Sequence, residues 1–407
     1  MNIKRLETSR LFHRFGFGPR PGEYAQALKD GVNITRTKLT TAPAALTTST
    51  PVALPAITDL GKRPKDRTPE SVPFALAMRS QTQQMGLWWL DMMALSDHGL
   101  TERMVWFWHG HWATSIQKLN YALPMYKQNQ IFRTHALGNF NAMTKAMLND
   151  GALQFWLDGQ DNTAKAPNEN LGRELMELFV LGVNRYSEDD VKAISRVLTG
   201  YQVEKSSGVV TINQNRRDAN PVTLLGKTAS FTGDSLTDFL VARDDCATFI
   251  SERLWYRFIS STETMPTSFS AKKGFATRDI ATTIKTMAAD PSMSDEKYAM
   301  VKSPVEWFIS ACRALELTPS ALKTPGQLNN HLDKLGQVPF NPPNVGGWPA
   351  GEAWLSSATA QYRLAFAAWL IKQSNLSALQ QIPKDSRVAK SADWLGVAEW
   401  SARTQSA

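Results

Sequence analysis

The chain has 407 residues, of which 43% are hydrophobic and 20% charged, with a net charge of +8. This is enough chain for one large or two ordinary domains with ample core, and the balance is that of a soluble globular protein. Lys and Arg are scattered without a run of five or more, which argues against an arm built to neutralise nucleic-acid phosphates, and no stretch nears the ~18 apolar residues of a membrane-spanning helix.

The opening Met1-Asn2-Ile3-Lys4-Arg5-Leu6-Glu7 is basic but is followed by no apolar segment, so no secretory signal is expected and a cytoplasmic location follows by default. Gly16-Phe17-Gly18 runs into Pro19 with no strand before it, which argues against a dinucleotide fingerprint. Residues 39–75, rich in Thr, Ala and Pro, are expected to form an exposed, mobile insertion. Met85, Trp88, Trp89 and Met92 then recur at the spacing of one helix face, and Phe132, Ala136, Phe140, Met143 and Met147 repeat it. The thirteen tryptophans serve either as core filling or as an aromatic platform. Ser187 and Asp190 form a capping box ahead of Val191, Ile194 and Leu198, with Gly200 closing that helix.

Residues 205–235 hold Val209-Val210-Thr211-Ile212 and Val222-Thr223-Leu224-Leu225 around a polar turn, the pattern of a small β-hairpin. Ser303-Pro304-Val305-Glu306 starts another helix, with Val305, Phe308, Ile309 and Cys312 as its buried stripe. Cys246 and Cys312 both fall on apolar stripes and are expected to be buried thiols. The chain therefore reads as mainly α, one helical unit over 1–407 with two decorations. HExxH, a phosphate-binding P-loop and GxSxG are absent. Ser115-Ile116-Gln117-Lys118 and Ser270-Ala271-Lys272-Lys273 match SxxK but have no SDN or KTG companion.

Two stretches carry the site expectation. Asn168-Glu169-Asn170-Leu171-Gly172-Arg173-Glu174-Leu175-Met176-Glu177-Leu178-Phe179 opens an amphipathic helix expected from about Leu171 to Val183. Leu171, Leu175, Leu178, Phe179 and Gly182 share its buried face, Arg173 and Glu177 are placed to pair at i, i+4, and Glu174 borders the apolar stripe. A carboxylate there needs a partner or a cation. The cluster is either a capped helix with a solvated charged face or a set of carboxylates converging on a metal or substrate. Asp158, Asp161, Asn162, Asn168 and Glu169 add oxygen donors, without EF-hand spacing.

Earlier lies Phe107-Trp108-His109-Gly110-His111-Trp112. In a continuous helix His109 and His111 point ~160° apart and cannot share a metal, whereas on an extended segment they can. The apolar spacing turns His111 inward and His109 outward, and each is either a buried satisfied histidine or a ligand. His13, His98, His135 and His331 are isolated and are read as structural.

Four blocks resemble a bacterial family, domain of unknown function 1800. They are Leu11-Phe12-His13-Arg14-Phe15-Gly16-Phe17-Gly18-Pro19, the His109-Gly110-His111 block, Pro167-Asn168-Glu169-Asn170 running on to Gly182, and Pro342-Pro343-Asn344-Val345-Gly346-Gly347-Trp348-Pro349 with Trp354 and Arg363 beyond it. They stand in the family's order and span nearly the whole chain. The resemblance implies no assigned activity, a possible phosphatase- or sulfatase-like partner, and a periplasmic or exported location for many members. The chain departs from the family pattern twice. Gly110 stands where Asn is usual, and Arg217-Asp218 stands where the pattern has His-Asp, so one potential ligand is missing. The last block is either a structural corner or a substrate-binding lip, and Arg363 is placed to pair with Glu174 or Glu177.

The expectation from sequence is thus a metal-dependent enzyme, hydrolytic or oxidative, of envelope or polymer metabolism. A divalent or iron ion would be held by His109, His111, Glu174, Glu177 and Asp218, with Glu174 and Glu177 also catalytic and Arg173 orienting an anionic group. The rival is a non-catalytic scaffold beside the phosphatase-like partner, its charges a buried ion-pair network. A nucleic-acid binder, the third class, requires affinity that falls steeply with salt.

Overall fold

The computed structural model describes residues 2–41 and 52–400, and their helices start and stop for local reasons. The Asn2 side chain accepts from Arg5 N–H to open Ile3–Arg14. The Ser187–Asp190 capping box opens Glu188–Val197, and Ser303 N–H donates to Glu306 at 3.0 Å at the start of Pro304–Ala314. Twenty α-helices occur among the described residues, around a main apolar cluster that runs from Leu11 to Leu370 and a small second one of Phe12, Tyr24 and Ala27. No helix there is long and apolar enough to cross a membrane. Cys246 and Cys312 are both buried.

Two expectations need correction. The face from Phe132 to Met147 is buried throughout, but it is shared by two helices, Ala122–His135 and Phe140–Leu148, because Asn139 caps the second by accepting from Asn141 and Ala142 N–H. The β-structure is two hairpins. Tyr201–Glu204 (β1) pairs with Val209–Ile212 (β2), and Val222–Leu224 (β3) pairs with Lys227–Ala229 (β4), all antiparallel. Leu225 and Gly226, both at positive φ, make the two-residue turn that a tight hairpin favours, so the second apolar run folds on its own neighbour rather than on the first. Of the stretch 39–75, expected to be an exposed insertion, residues 42–51 lie outside the described residues, Leu39 and Thr40 end a helix, and Ser71 starts the next. Residues 52–70 carry no helix or strand, yet Ile57 packs against the core and Gly61 O accepts from Tyr121 Oη at 3.1 Å.

A buried charge network fixes the helix that carries the two histidines, Gly99–His111. The Glu102 carboxylate accepts Arg133 Nε at 2.9 Å and Nη2 at 2.8 Å, and Trp89 Nε1 at 3.1 Å. The next residue on the helix, Arg103, pairs with Glu306 and lies over the Phe258 ring. These contacts join helices distant in sequence. Charge that is fully paired can be buried; either partner alone cannot.

Candidate functional site

The helix Gly99–His111 runs unbroken through Gly110, so the two histidine rings leave it in different directions. His109 Nε2 accepts the Phe340 backbone N–H at 3.1 Å, and its ring sits among Trp89, Phe340 and Trp348 at 5.1–5.4 Å. An N–H only donates, so the neutral ring keeps its proton on Nδ1 and spends its lone pair on the backbone. His109 is 1% exposed, which corrects the outward placement. It is a tie between the helix and the Phe340 turn.

His111 is the other tautomer. Its Nε2 lies 2.9 Å from the Phe179 carbonyl oxygen, which only accepts, so Nε2 carries the proton and Nδ1 is a bare lone pair. Among the described residues Nδ1 has no hydrogen-bond partner, and the ring is 3% exposed. Burial pushes both rings down to about 3; at His111 the Arg253 and Arg257 charges add to that, and the Phe179 carbonyl opposes it.

Phe179 is available because of how its own helix ends. Asn168 Oδ1 accepts from Asn170 N–H, and the α-helix Asn170–Glu174 passes into a π-helical turn, Leu175–Val180. Leu181 and Gly182 N–H both bond to Met176 O, which leaves the later carbonyls of the turn without helical donors. His111 satisfies Phe179 O, and Arg185 Nη1 satisfies Leu181 O at 2.6 Å. The wider turn also changes which side chains share a face. Arg173 bonds Glu169 and Glu188 instead of the expected Glu177. Glu177 accepts from the Tyr186 hydroxyl. Glu174 is half-buried, with its carboxyl raised by burial first and by the Glu177 charge second.

His111 and Glu177 line one cavity of about 240 Å3. Leu178 and Gly182 come from the π turn and its end, Val345 and Gly346 from the Pro/Gly-rich loop, and Phe249 and Arg253 from the helix Asp244–Phe258. Three of the four sequence blocks therefore meet here. The loop is a structural corner that also contributes to the cavity wall. Trp348 is buried and stacks on Trp106 at 5.1 Å, Arg257 holds the Trp348 and Pro349 carbonyls, and Val345 and Gly346 remain on the cavity wall. Gly347 makes this possible. At φ +79° it lies against the Gly110 carbonyl, 2.3 Å from where a Cβ would stand. A Cβ on Gly110 would meet nothing within 4 Å, so the residue that departs from the family pattern leaves open space.

The expected five-ligand set is not assembled. Among the described residues no three of His, Cys, Asp and Glu form a group that could hold a metal ion. Asp218 is engaged by Arg196 Nε at 2.7 Å and by Asn220, with Arg196 the main cause of its lowered pKa. Asp158 is paired with Lys118 and Asn162 is bonded to Ser195 O, so the loop oxygens do not gather either. Arg363 donates to Lys302 O and lies over Trp307, and the expected pairing with Glu174 or Glu177 is not made. The sequence reading missed Arg253. It stands four residues after Phe249 and seven after Cys246, a cation at the edge of a buried stripe, which is the signal that had drawn attention to Glu174.

A family model described as a protein of unknown function, DUF1800, matches residues 10–407. No curated protein and no solved structure matches the chain.

Proposed function

Because the chain belongs to the DUF1800 family, whose description assigns no chemistry, we propose from the site itself that the protein is an enzyme working by proton transfer at the His111 cavity. The observation that carries the reading is the unpartnered Nδ1 of a buried neutral histidine whose Nε2–H is fixed on the Phe179 carbonyl. A hydrogen bond of that kind sets tautomer and orientation in catalytic histidines and leaves the second nitrogen free to take a proton.

The cavity wall holds no Ser, Thr or Cys, and its two carboxylates, Glu177 and Glu252, are held by Tyr186 and Arg185. The nucleophile in this reading is therefore water or a hydroxyl of the substrate, in hydrolysis or group transfer by general base. The attacking oxygen bonds to the acyl, phosphoryl, sulfuryl or glycosyl centre as the bond to the leaving oxygen breaks; its proton passes to Nδ1 and from there to the leaving oxygen. The Phe179 carbonyl favours the transient imidazolium through Nε2–H, against burial and the Arg253 and Arg257 charges. Glu177, held by the Tyr186 hydroxyl, is the second polar group on the wall. The divalent or iron ion expected from the sequence finds no ligand group among the described residues, so no step is routed through one.

The test uses a panel of chromogenic carboxylic, phosphate and sulfate esters and glycosides, with the native chain and His111→Gln. The Gln amide nitrogen reaches the position of Nε2 and keeps the bond to Phe179, while the Nδ1 lone pair is lost. Turnover of the accepted substrate is expected to fall on the order of 10²–10⁴-fold, with melting unchanged. Equal kcat in the variant overturns the reading in favour of a purely architectural His111.

A further inference from the structure

We propose that the His111 cavity takes an anionic oxygen group, a carboxylate or a phosphate or sulfate ester, against the Arg253 guanidinium, so that the substrate of the reaction proposed above is itself an anion. The identity of the group as a substrate rests on that reading; its binding does not.

The cavity has two arginines on its wall, and they are not equivalent. Arg185 is spent: Nη1 donates to Leu181 O and to Asp245 O, and Nη2 donates to both oxygens of Glu252 at 3.1 Å. Arg253 is not. Its Nε is buried without a hydrogen-bond partner among the described residues, and its guanidinium lies 5.9 Å from the Tyr256 ring centroid. Burial lowers its pKa, and the neighbour that offsets this is Tyr256, not a carboxylate. The two carboxylates of the wall are already engaged, Glu252 by Arg185 and Glu177 by Tyr186.

The Arg253 guanidinium has a buried Nε–H without an acceptor, which costs free energy unless something accepts from it. Its planar fork of donors matches the paired oxygens of a carboxylate or of a phosphate or sulfate group. His111, which lines the same cavity, carries the unpartnered acceptor Nδ1 just beneath the wall, so the site combines a cation that needs an acceptor with a base that needs a proton donor. An anion with an attacking water or hydroxyl satisfies both. It also supplies the counter-charge that the His111 imidazolium lacks, because the charges bearing on that ring are those of Arg253 and Arg257. At about 240 Å3 the cavity suits a group of few heavy atoms, smaller than a drug-sized ligand. A larger substrate would insert its charged end only.

The experiment is equilibrium binding of inorganic phosphate, sulfate and acetate to the full chain at low ionic strength, in the native protein, Arg253→Met and His111→Gln. The native chain is expected to bind one equivalent of at least one anion, and the preference between acetate and the tetrahedral anions identifies the class. Arg253→Met is expected to weaken that binding about tenfold or more, the loss of charge-assisted hydrogen bonds; His111→Gln is expected to retain it within about threefold, since the guanidinium is the anchor. Equal affinity in native and Arg253→Met chains, or no binding of any of the three anions by the native chain, overturns the proposal. Should Arg253→Met fail to fold, the ring resonances of His111 in the native chain give the reading: they move with the anion if it binds here, and a static ring overturns the idea. Anion binding without His111-dependent turnover leaves this proposal standing and removes the catalytic one. Turnover dependent on His111 without anion binding does the reverse.

Discussion

Glu102→Ala is expected to lower the unfolding free energy by about 3–5 kcal/mol, the cost of leaving a buried charge without its partner. Glu102 is 2% exposed and Arg133 is held against it by two nitrogens. Without the carboxylate, the Arg133 guanidinium keeps Asn129 Oδ1 at 2.6 Å and the face of the Trp88 ring, and Trp89 Nε1 loses its acceptor. The double replacement Glu102→Leu with Arg133→Met is expected to recover much of the loss, because apolar side chains of similar volume need no partner. Urea unfolding of the two single variants and the double variant measures the coupling. A loss below ~1 kcal/mol in Glu102→Ala, the range of exposed pairs, would show that the network is not what fixes this helix. The consequence reaches the site, since the Trp89 ring packs on His109.

Gly347→Ala is the second large effect, and its comparison with Gly110→Ala makes it specific. At φ +79° any Cβ is strained, and here it also meets the Gly110 carbonyl oxygen 2.3 Å away. The left-handed conformation costs roughly 1–2 kcal/mol for a residue with a Cβ and the overpacking about 1–3 more, so a loss of roughly 2–5 kcal/mol is expected in thermal or urea unfolding. Because Val345 and Gly346 lie on the cavity wall, the shift of the loop is expected to impair the site as well. Gly110→Ala, across the same contact, meets open space within a helix and is expected to stabilise by about 0.5–1 kcal/mol. A neutral Gly347→Ala would mean that the loop does not press on the end of the histidine helix.

The apolar periodicities and caps were legible because they are local. The Ser187–Asp190 box, the Ser303 start and the buried faces of Met85–Met92 and Phe132–Met147 follow from neighbours three or four residues apart. The 168–179 stretch stood out in the sequence as a candidate site and the Pro/Gly loop as a corner or a lip; both contribute to the cavity wall, through Glu177, Leu178, Val345 and Gly346. What sequence could not give was register and partner. A helix of regular period puts Glu177 within reach of Arg173; the π turn, set by tertiary packing, gives Arg173 to Glu188 and Glu177 to Tyr186. The opposite tautomers of His109 and His111 depend on two backbone groups, Phe340 N–H and Phe179 O, that lie 231 and 68 residues away. Arg253 belongs to no motif and acquires meaning only from its place on the cavity wall, where Arg185 holds Glu252 and Tyr186 holds Glu177.

The proton positions of His111 are where the catalytic account stands or falls. Nitrogen-15 NMR of the imidazole rings, followed from pH 7 downward, reads them directly. The account predicts a neutral ring at pH 7 with the proton on Nε2 and none on Nδ1, staying uncharged until the pH approaches about 3. A ring that carries a proton on Nδ1 at pH 7, as the other tautomer or as the imidazolium, would contradict it.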